Sequence, residues 1–258
     1  DGGSDAGVGL VVVACDGETF GHHRRFAELG LAHALAVEAP RRAVGLPDLA
    51  DWLKDHPPTA SATVHTSAWS CAHGVGRWLE DCGCHTGGEE SWNQRWRGPL
   101  RAALDILRDH AADVFGRRGG RLLHDPWASR DAYIDVLAGA QSLDELLAQH
   151  GRTQLDGDRP AEVAEVTQLL ELQRSALFMY TSCGWFFNDL AGLETVQVLR
   201  YAGRACDLLE DLGEPVPYDE FFAQLGQAWS NRPQEGSGRD IWDRHVEPWR
   251  QANRTHTP

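Results

Sequence analysis

Two carboxylates and two imidazoles stand close together near the start of this chain, in Asp16-Gly17-Glu18-Thr19-Phe20-Gly21-His22-His23. Breaking a glycosidic bond takes a carboxylic acid that protonates the leaving oxygen and a second carboxylate that attacks the sugar carbon or activates water. Asp16 can be the first of these. Glu18 shares its face only if the backbone stays extended through Gly17, and both groups then lie on one side of a sugar instead of flanking the bond. Glu18 therefore reads as a group that orients a substrate hydroxyl or fixes a histidine. His22 and His23 can each hydrogen-bond a sugar hydroxyl or hold the acid's protonation state. The plainer alternatives are carboxylates that satisfy loop amides in a turn and histidines that cap an exposed helix.

A second group combines Cys71 and His73 with Cys82, Cys84 and His85. Thiolate and imidazole together suit zinc, and thiolates alone suit an iron–sulfur cluster. Cys82-Gly83-Cys84 brings two sulfurs closer than the usual Cys-x-x-Cys knuckle, so neither template is matched. Small buried cysteines in a glycine-rich loop are the alternative. The third group is aromatic: the chain has 10 tryptophans, and indole faces stack on the apolar C–H faces of sugar rings. Trp69, Trp78, Trp92, Trp96 and Trp185 lie in or beside loops. Trp69 and Trp185, each beside Ser, Cys or Gly, suit a sugar platform best, whereas Trp92 and Trp96 at helical spacing suit a core. Asn188 and Asp189 can add hydroxyl contacts.

Three segments carry a family likeness: the Asp16 to His23 run, Trp69-Ser70-Cys71-Ala72-His73-Gly74-Val75, and Tyr180-Thr181-Ser182-Cys183-Gly184-Trp185-Phe186-Phe187. Together they resemble bacterial proteins related to glycoside hydrolase family 57, and more narrowly the C-terminal domain of unknown function carried by one branch of them. The resemblance implies a retaining glycoside hydrolase or transglycosylase acting on α-glucans or related oligosaccharides, with Asp16 as general acid/base. It implies a nucleophilic glutamate upstream of this chain, on the earlier part of a barrel. It also places the Tyr180 to Asp189 segment where family 57 enzymes carry their last motif, from which this chain departs in detail.

Positioning these groups takes a strand, a long loop and a set of helices. The apolar, valine-rich run from Gly9 to Ala14 reads as a strand buried on both faces, as in a parallel sheet covered by helices. Asp16 then sits at the carboxyl end of that strand, the edge where α/β folds hold their chemistry. Helical spacing follows over Arg24 to Ala39 and over Pro47 to His56, and Thr63-Val64-His65-Thr66 reads as a short extended piece. Trp69 to Trp92 is a loop of functional length. Beyond it, Trp92, Trp96, Leu100, Leu104, Leu107 and Phe115 share a helical face despite Pro99. Further helices are expected over Trp127 to Leu137, over Leu143 to Gln149 behind a Ser142/Glu145 capping box, and from Pro160 to about Ser182. The last three run from Leu193 to Leu212, Tyr218 to Trp229 and Ile241 to Trp249.

The expected fold is an α-rich α/β one: the terminal part of a distorted (β/α) barrel over residues 1–66, a loop rich in Cys, Gly and Trp over 67–91, and a helical bundle over 92–258. With 258 residues, of which 42% are hydrophobic, the chain can bury a sizeable core. Its formal net charge of −14 argues against binding nucleic acid through phosphates. No basic-apolar leader and no bilayer-length apolar stretch stands in the sequence, so no membrane partner and a cytoplasmic location are expected. Six cysteines are too few for a disulfide scaffold and point to reduced thiols or a local metal site. Opening at Asp1 on what would be a late barrel strand, the chain reads as part of a longer protein whose earlier barrel segment is its partner. The alternative, from another class, is a non-catalytic carbohydrate-binding or structural module, one form of which is stabilised by metal.

Overall fold

A computed structural model describes residues 10–65, 67–68, 70–152 and 159–254. The chain divides into two units, Asp1–Val64 and His65–Pro258.

In the first unit, residues 27–41 form α1, widened to a π turn over Ala34–Glu38, and Leu49–Asp55 form α2. Asp48 starts α2: its Oδ1 accepts the Ala50 N–H at 2.8 Å and the Asp51 N–H at 3.3 Å, two donors that a helix N-terminus leaves open. The expected strand is absent among the described residues. Residues 10–16 have no strand geometry, and Val11, Val12 and Val13 are 85%, 66% and 83% exposed. A parallel strand is held by ladder bonds to neighbours, and the described residues offer only isolated bridges for it to pair with. A (β/α) barrel is therefore not observed, whereas the helix-rich character is.

The second unit contains α3 (Arg97–Leu122), α4 (Pro126–Leu137), α5 (Leu143–His150), α6 (Pro160–Phe178), α7 (Cys183–Phe186), α8 (Leu193–Asp211) and α9 (Tyr218–Leu225). Residues 238–254 form α10, with a π turn over Trp242–Val246. Short-range chemistry sets most of these starts. Asp125 caps α4 ahead of Pro126, the Ser142/Glu145 pair closes a reciprocal box on α5, and Pro160 opens α6 where its missing N–H does no harm. Pro99 fixes α3 in the same way. A helix begun at Trp92 would carry that proline in its interior at about 3 kcal/mol, so the helix begins at Arg97 instead.

Leu100, Leu104, Leu107, Ala111, Val114 and Phe115 recur at helical spacing along α3 and are all fully buried. They pack against α6 and α8, which also pack on each other, and Val166, Leu169 and Leu170 of α6 and Leu199, Ala202 and Cys206 of α8 are buried in the same core. Each such leucine contributes about 1.5–3 kcal/mol on leaving water. α9 covers α3, and α10 covers α8. At the latter contact the buried Arg250 gives its Nε–H to Asp207 at 2.9 Å and reaches the Tyr218 hydroxyl at 2.9 Å. Among the described residues no helix is long and apolar enough to cross a membrane. Ahead of α3, the turn Gly76–Trp78 lies against α7 and α3, which seats the cysteine-bearing loop on the helical core.

Candidate functional site

In the first unit, the Asp16 to His23 run folds into consecutive tight turns. The Thr19 N–H donates to the Asp16 carbonyl at 3.0 Å, the His23 N–H to Glu18 at 2.9 Å and the Arg24 N–H to Thr19 at 3.1 Å. Asp16, Glu18, His22 and His23 all face solvent, and the two imidazoles meet edge to face at 5.1 Å. No hydrogen bond to either carboxylate is found among the described residues, so a loop-amide role does not occupy them.

The second unit brings four of the five expected metal ligands together. The Sγ atoms of Cys71 and Cys82 are 3.7 Å apart, Cys84 Sγ is 3.5 Å from His73 Nδ1, and the four donor atoms all lie within 4.8 Å of one another. These residues could hold a metal ion. The sulfurs are thiols, since a disulfide would bring two of them to about 2.05 Å. His85 stands apart, its Nδ1 facing the Gly87 carbonyl at 3.3 Å. Cys71 is buried while His73 is exposed, so the group sits at the edge of the core. Burial alone would raise the Cys71 thiol. The N–H groups of Arg77 and His73 and the Cys84 and Cys82 thiols outweigh it and bring the pKa down to about 6. Burial, aided by the neighbouring Cys71 and Cys84 thiols, pushes Cys82 up.

Two buried arginines stand at this loop: Arg97 is near enough to Cys82 and Cys84 to be attracted by them, and Arg77 near enough to Arg97 to repel it. Arg97 is 0% and Arg77 3% exposed. Arg97 donates to the Cys84 carbonyl at 3.1 Å and to the Phe187 carbonyl at 3.3 Å, and Arg77 lies over the Phe186 ring at 4.6 Å. Neither forms an ion pair with a carboxylate among the described residues, and the Nε of each lacks a hydrogen-bond partner. Burial first, then repulsion from Arg77, brings Arg97 down to about 10, against the attraction of Cys82, Asp81 and Cys84.

The cysteine loop continues into a cleft of about 330 Å³ lined by Gly88, Trp92, Phe187, Asn188, Glu194 and Arg232, among others. Gly88 is required there: its φ is +90°, and a Cβ would stand 2.7 Å from the Trp92 ring. The Arg232 guanidinium lies over that indole, 5.5 Å from the ring centre. Asn188 and Asp189 wall the cleft, yet their polar atoms are engaged in holding loops. Asn188 accepts the Thr86 N–H at 2.9 Å and donates to the Gly87 carbonyl. The Asp189 carboxylate accepts from Ala191 N–H at 2.9 Å, Ser230 Oγ at 2.8 Å and Asn231 N–H at 2.7 Å.

Trp185 is not a platform. It is 0% exposed, lies between Trp96 and Tyr180, and gives its indole N–H to the Met179 carbonyl at 3.3 Å. The short helix α7 turns it inward, which the small residues beside it do not reveal. Trp69 lies outside the described residues. Sequence reasoning missed Arg77, Arg97, Glu194 and Arg232, and it assigned Trp92 to a core face. Pro99 was the available signal for Trp92, because it excludes a helix start that early.

Residues 92–254, more than half of the chain, match the model of a family described as a domain of unknown function (DUF3536). No curated protein and no solved structure matches the chain.

Proposed function

The chain belongs to the DUF3536 family, and from that premise we propose that it is part of a carbohydrate-active protein in which Asp16 is the general acid/base of a retaining reaction on α-glucans or related oligosaccharides. The observation that carries this reading is the Asp16 turn: an unengaged carboxylate beside a second one and two histidines, directly behind three exposed valines. Such an apolar run gains about 25 cal/mol for each Å² that a neighbouring sheet covers. Covered within a (β/α) barrel, it would put Asp16 at the carboxyl end of the sheet. The nucleophile would be a glutamate outside these residues, as the resemblance to glycoside hydrolase family 57 implies. In the second unit the Trp92 cleft supports a saccharide subsite, with the part-exposed indole beneath Arg232 available to ring C–H groups and the charged ends of Glu194 and Arg232 to hydroxyls.

Mass-resolved analysis of maltooligosaccharides tests the proposal, using this chain and a version extended upstream by a barrel segment. Cleavage or chain redistribution is expected in the extended protein. It should fall by roughly 10²-fold or more on Asp16→Asn, the loss of a positioned acid. Unimpaired turnover in that variant would refute the role.

A second reading is favoured by the proximity of Cys71, His73, Cys82 and Cys84. Here the chain is a non-catalytic binding or structural module whose loop is pinned by a bound metal, either zinc or an iron–sulfur cluster. It predicts oligosaccharide binding, or none, without bond cleavage.

A further inference from the structure

We infer that Cys71, His73, Cys82 and Cys84 hold a single zinc-type divalent ion as an anionic thiolate complex, and that the buried guanidiniums of Arg77 and Arg97 are its counter-charge. This rests on the metal-pinned reading above and gives that centre a nuclearity and a charge.

The donor geometry argues for one ion. Zinc–sulfur bonds of about 2.3 Å and zinc–nitrogen bonds of about 2.0–2.1 Å at tetrahedral angles place two sulfurs about 3.8 Å apart and a sulfur and a nitrogen about 3.5 Å apart. The Cys71–Cys82 and Cys84–His73 separations are 3.7 and 3.5 Å, so both pairs have the edge lengths of that tetrahedron. A cluster with several irons must fit between its ligands and holds them further apart than the donors of one tetrahedral ion. Here three sulfurs and one imidazole stand within 4.8 Å of one another. With all four positions filled by protein, the site is of the closed, structural kind.

Isolated ionised groups are very costly to bury, and arginine stays charged. Arg77 and Arg97 are nonetheless almost wholly out of water with no carboxylate ion partner among the described residues. The nearby Asp81 attracts Arg97 without forming an ion pair with it, since it accepts the Gln94 N–H at 3.1 Å and faces the exposed Arg95 at 3.8 Å. Three thiolates, one neutral imidazole and a divalent ion sum to one net negative charge, and that complex lies where Arg97 grips the Cys84 carbonyl. The two arginines then have a partner, and the metal complex gains a positive neighbourhood that favours thiolate over thiol.

The test is a Co²⁺ titration followed by Zn²⁺ displacement on the full chain, prepared metal-free under reducing conditions. Wild type should bind one Co²⁺, with the visible bands of a tetrahedral site and a near-ultraviolet thiolate charge-transfer band. Arg77→Met should keep those bands and weaken Zn²⁺ by about tenfold or more, the scale of one nearby charge at low dielectric, and Arg77→Lys should restore it. Thermal unfolding supplies a sign that a merely structural residue would not give. Arg77→Met should destabilise the zinc form yet leave the metal-free form equal or more stable, because an unpartnered buried charge has been removed. Should Arg77→Met fail to fold, the comparison of Arg77→Lys with Arg77→Gln carries the same test. Zinc affinity unchanged within twofold in the charge-removing variant overturns the counter-charge inference and leaves the metal reading standing. Absence of a tetrahedral cobalt spectrum in wild type overturns both.

Discussion

Trp92 and Trp185 present the same indole to different surroundings, and the surroundings decide what each can do. Trp185 fills core space between Trp96 and Tyr180, and its N–H is satisfied by a backbone carbonyl. Trp92 is half-buried, lining the cleft beside Gly88 and beneath the Arg232 guanidinium. Truncating a fully buried large aromatic removes its transfer energy and leaves a cavity, so Trp185→Ala should lower stability by about 3–5 kcal/mol. Trp92→Ala should lower it by clearly less, as read from urea unfolding of both variants. Equal losses would mean that Trp92 is a core residue and the cleft no ligand site. The sequence named Cys71, His73, Cys82 and Cys84 as possible ligands because their chemistry is visible in their types. It did not show which tryptophan was open or that Arg77 and Arg97 were buried. Those properties depend on how residues far apart in the chain come together, such as Phe186 against Arg77 and Phe187 against Arg97.

Helices were the legible elements, because their signals are local. Ser142 with Glu145, Pro126 after Asp125 and Pro160 each act on hydrogen-bond donors within one turn, and each stands at the helix start it marks. The valine run failed as a strand for the converse reason: strand identity is conferred by a neighbour, and a run of Val residues records preference only. Contacts between elements were equally illegible, the seam of α8 and α10 being an example. There Asp207 and Arg250 are both nearly fully buried, and Arg254 reaches the same carboxylate at 2.7 Å through its Nε–H. Removing one partner of a buried ion pair strands the other, so Asp207→Asn should cost about 3–5 kcal/mol. Replacing the pair together, as Asp207→Leu with Arg250→Met, should cost much less than two such losses. Additive losses in a double-mutant cycle of thermal unfolding would show that the seam is held by apolar packing alone.

The two units differ in what they bury, and this sets where the stability of the whole molecule resides. Every described large apolar residue of the core, from Trp96 to Val246, belongs to His65–Pro258, whereas Ala39 is the buried apolar residue found among the described part of Asp1–Val64. Leu29, Leu35, Leu46 and Leu49 are all substantially exposed in the first unit, so few apolar contacts oppose its chain entropy. A chain beginning at His65 should therefore fold and unfold in urea at nearly the midpoint of the full chain. Its m-value should fall only slightly, because m follows the surface exposed on unfolding. Tryptophan fluorescence is suited to this measurement: Trp52 belongs to the first unit and the other tryptophans to the second, so the signal reports the helical core in both proteins. A matched midpoint would show that the helical unit with its cysteine centre is the stable platform. The valines ahead of the Asp16 turn would then be a surface that only a further element covers. A midpoint well below that of the full chain would instead mean that the first unit supplies stabilising contacts of its own, and the exposure of Val11 to Val13 could not be taken as a surface awaiting a partner.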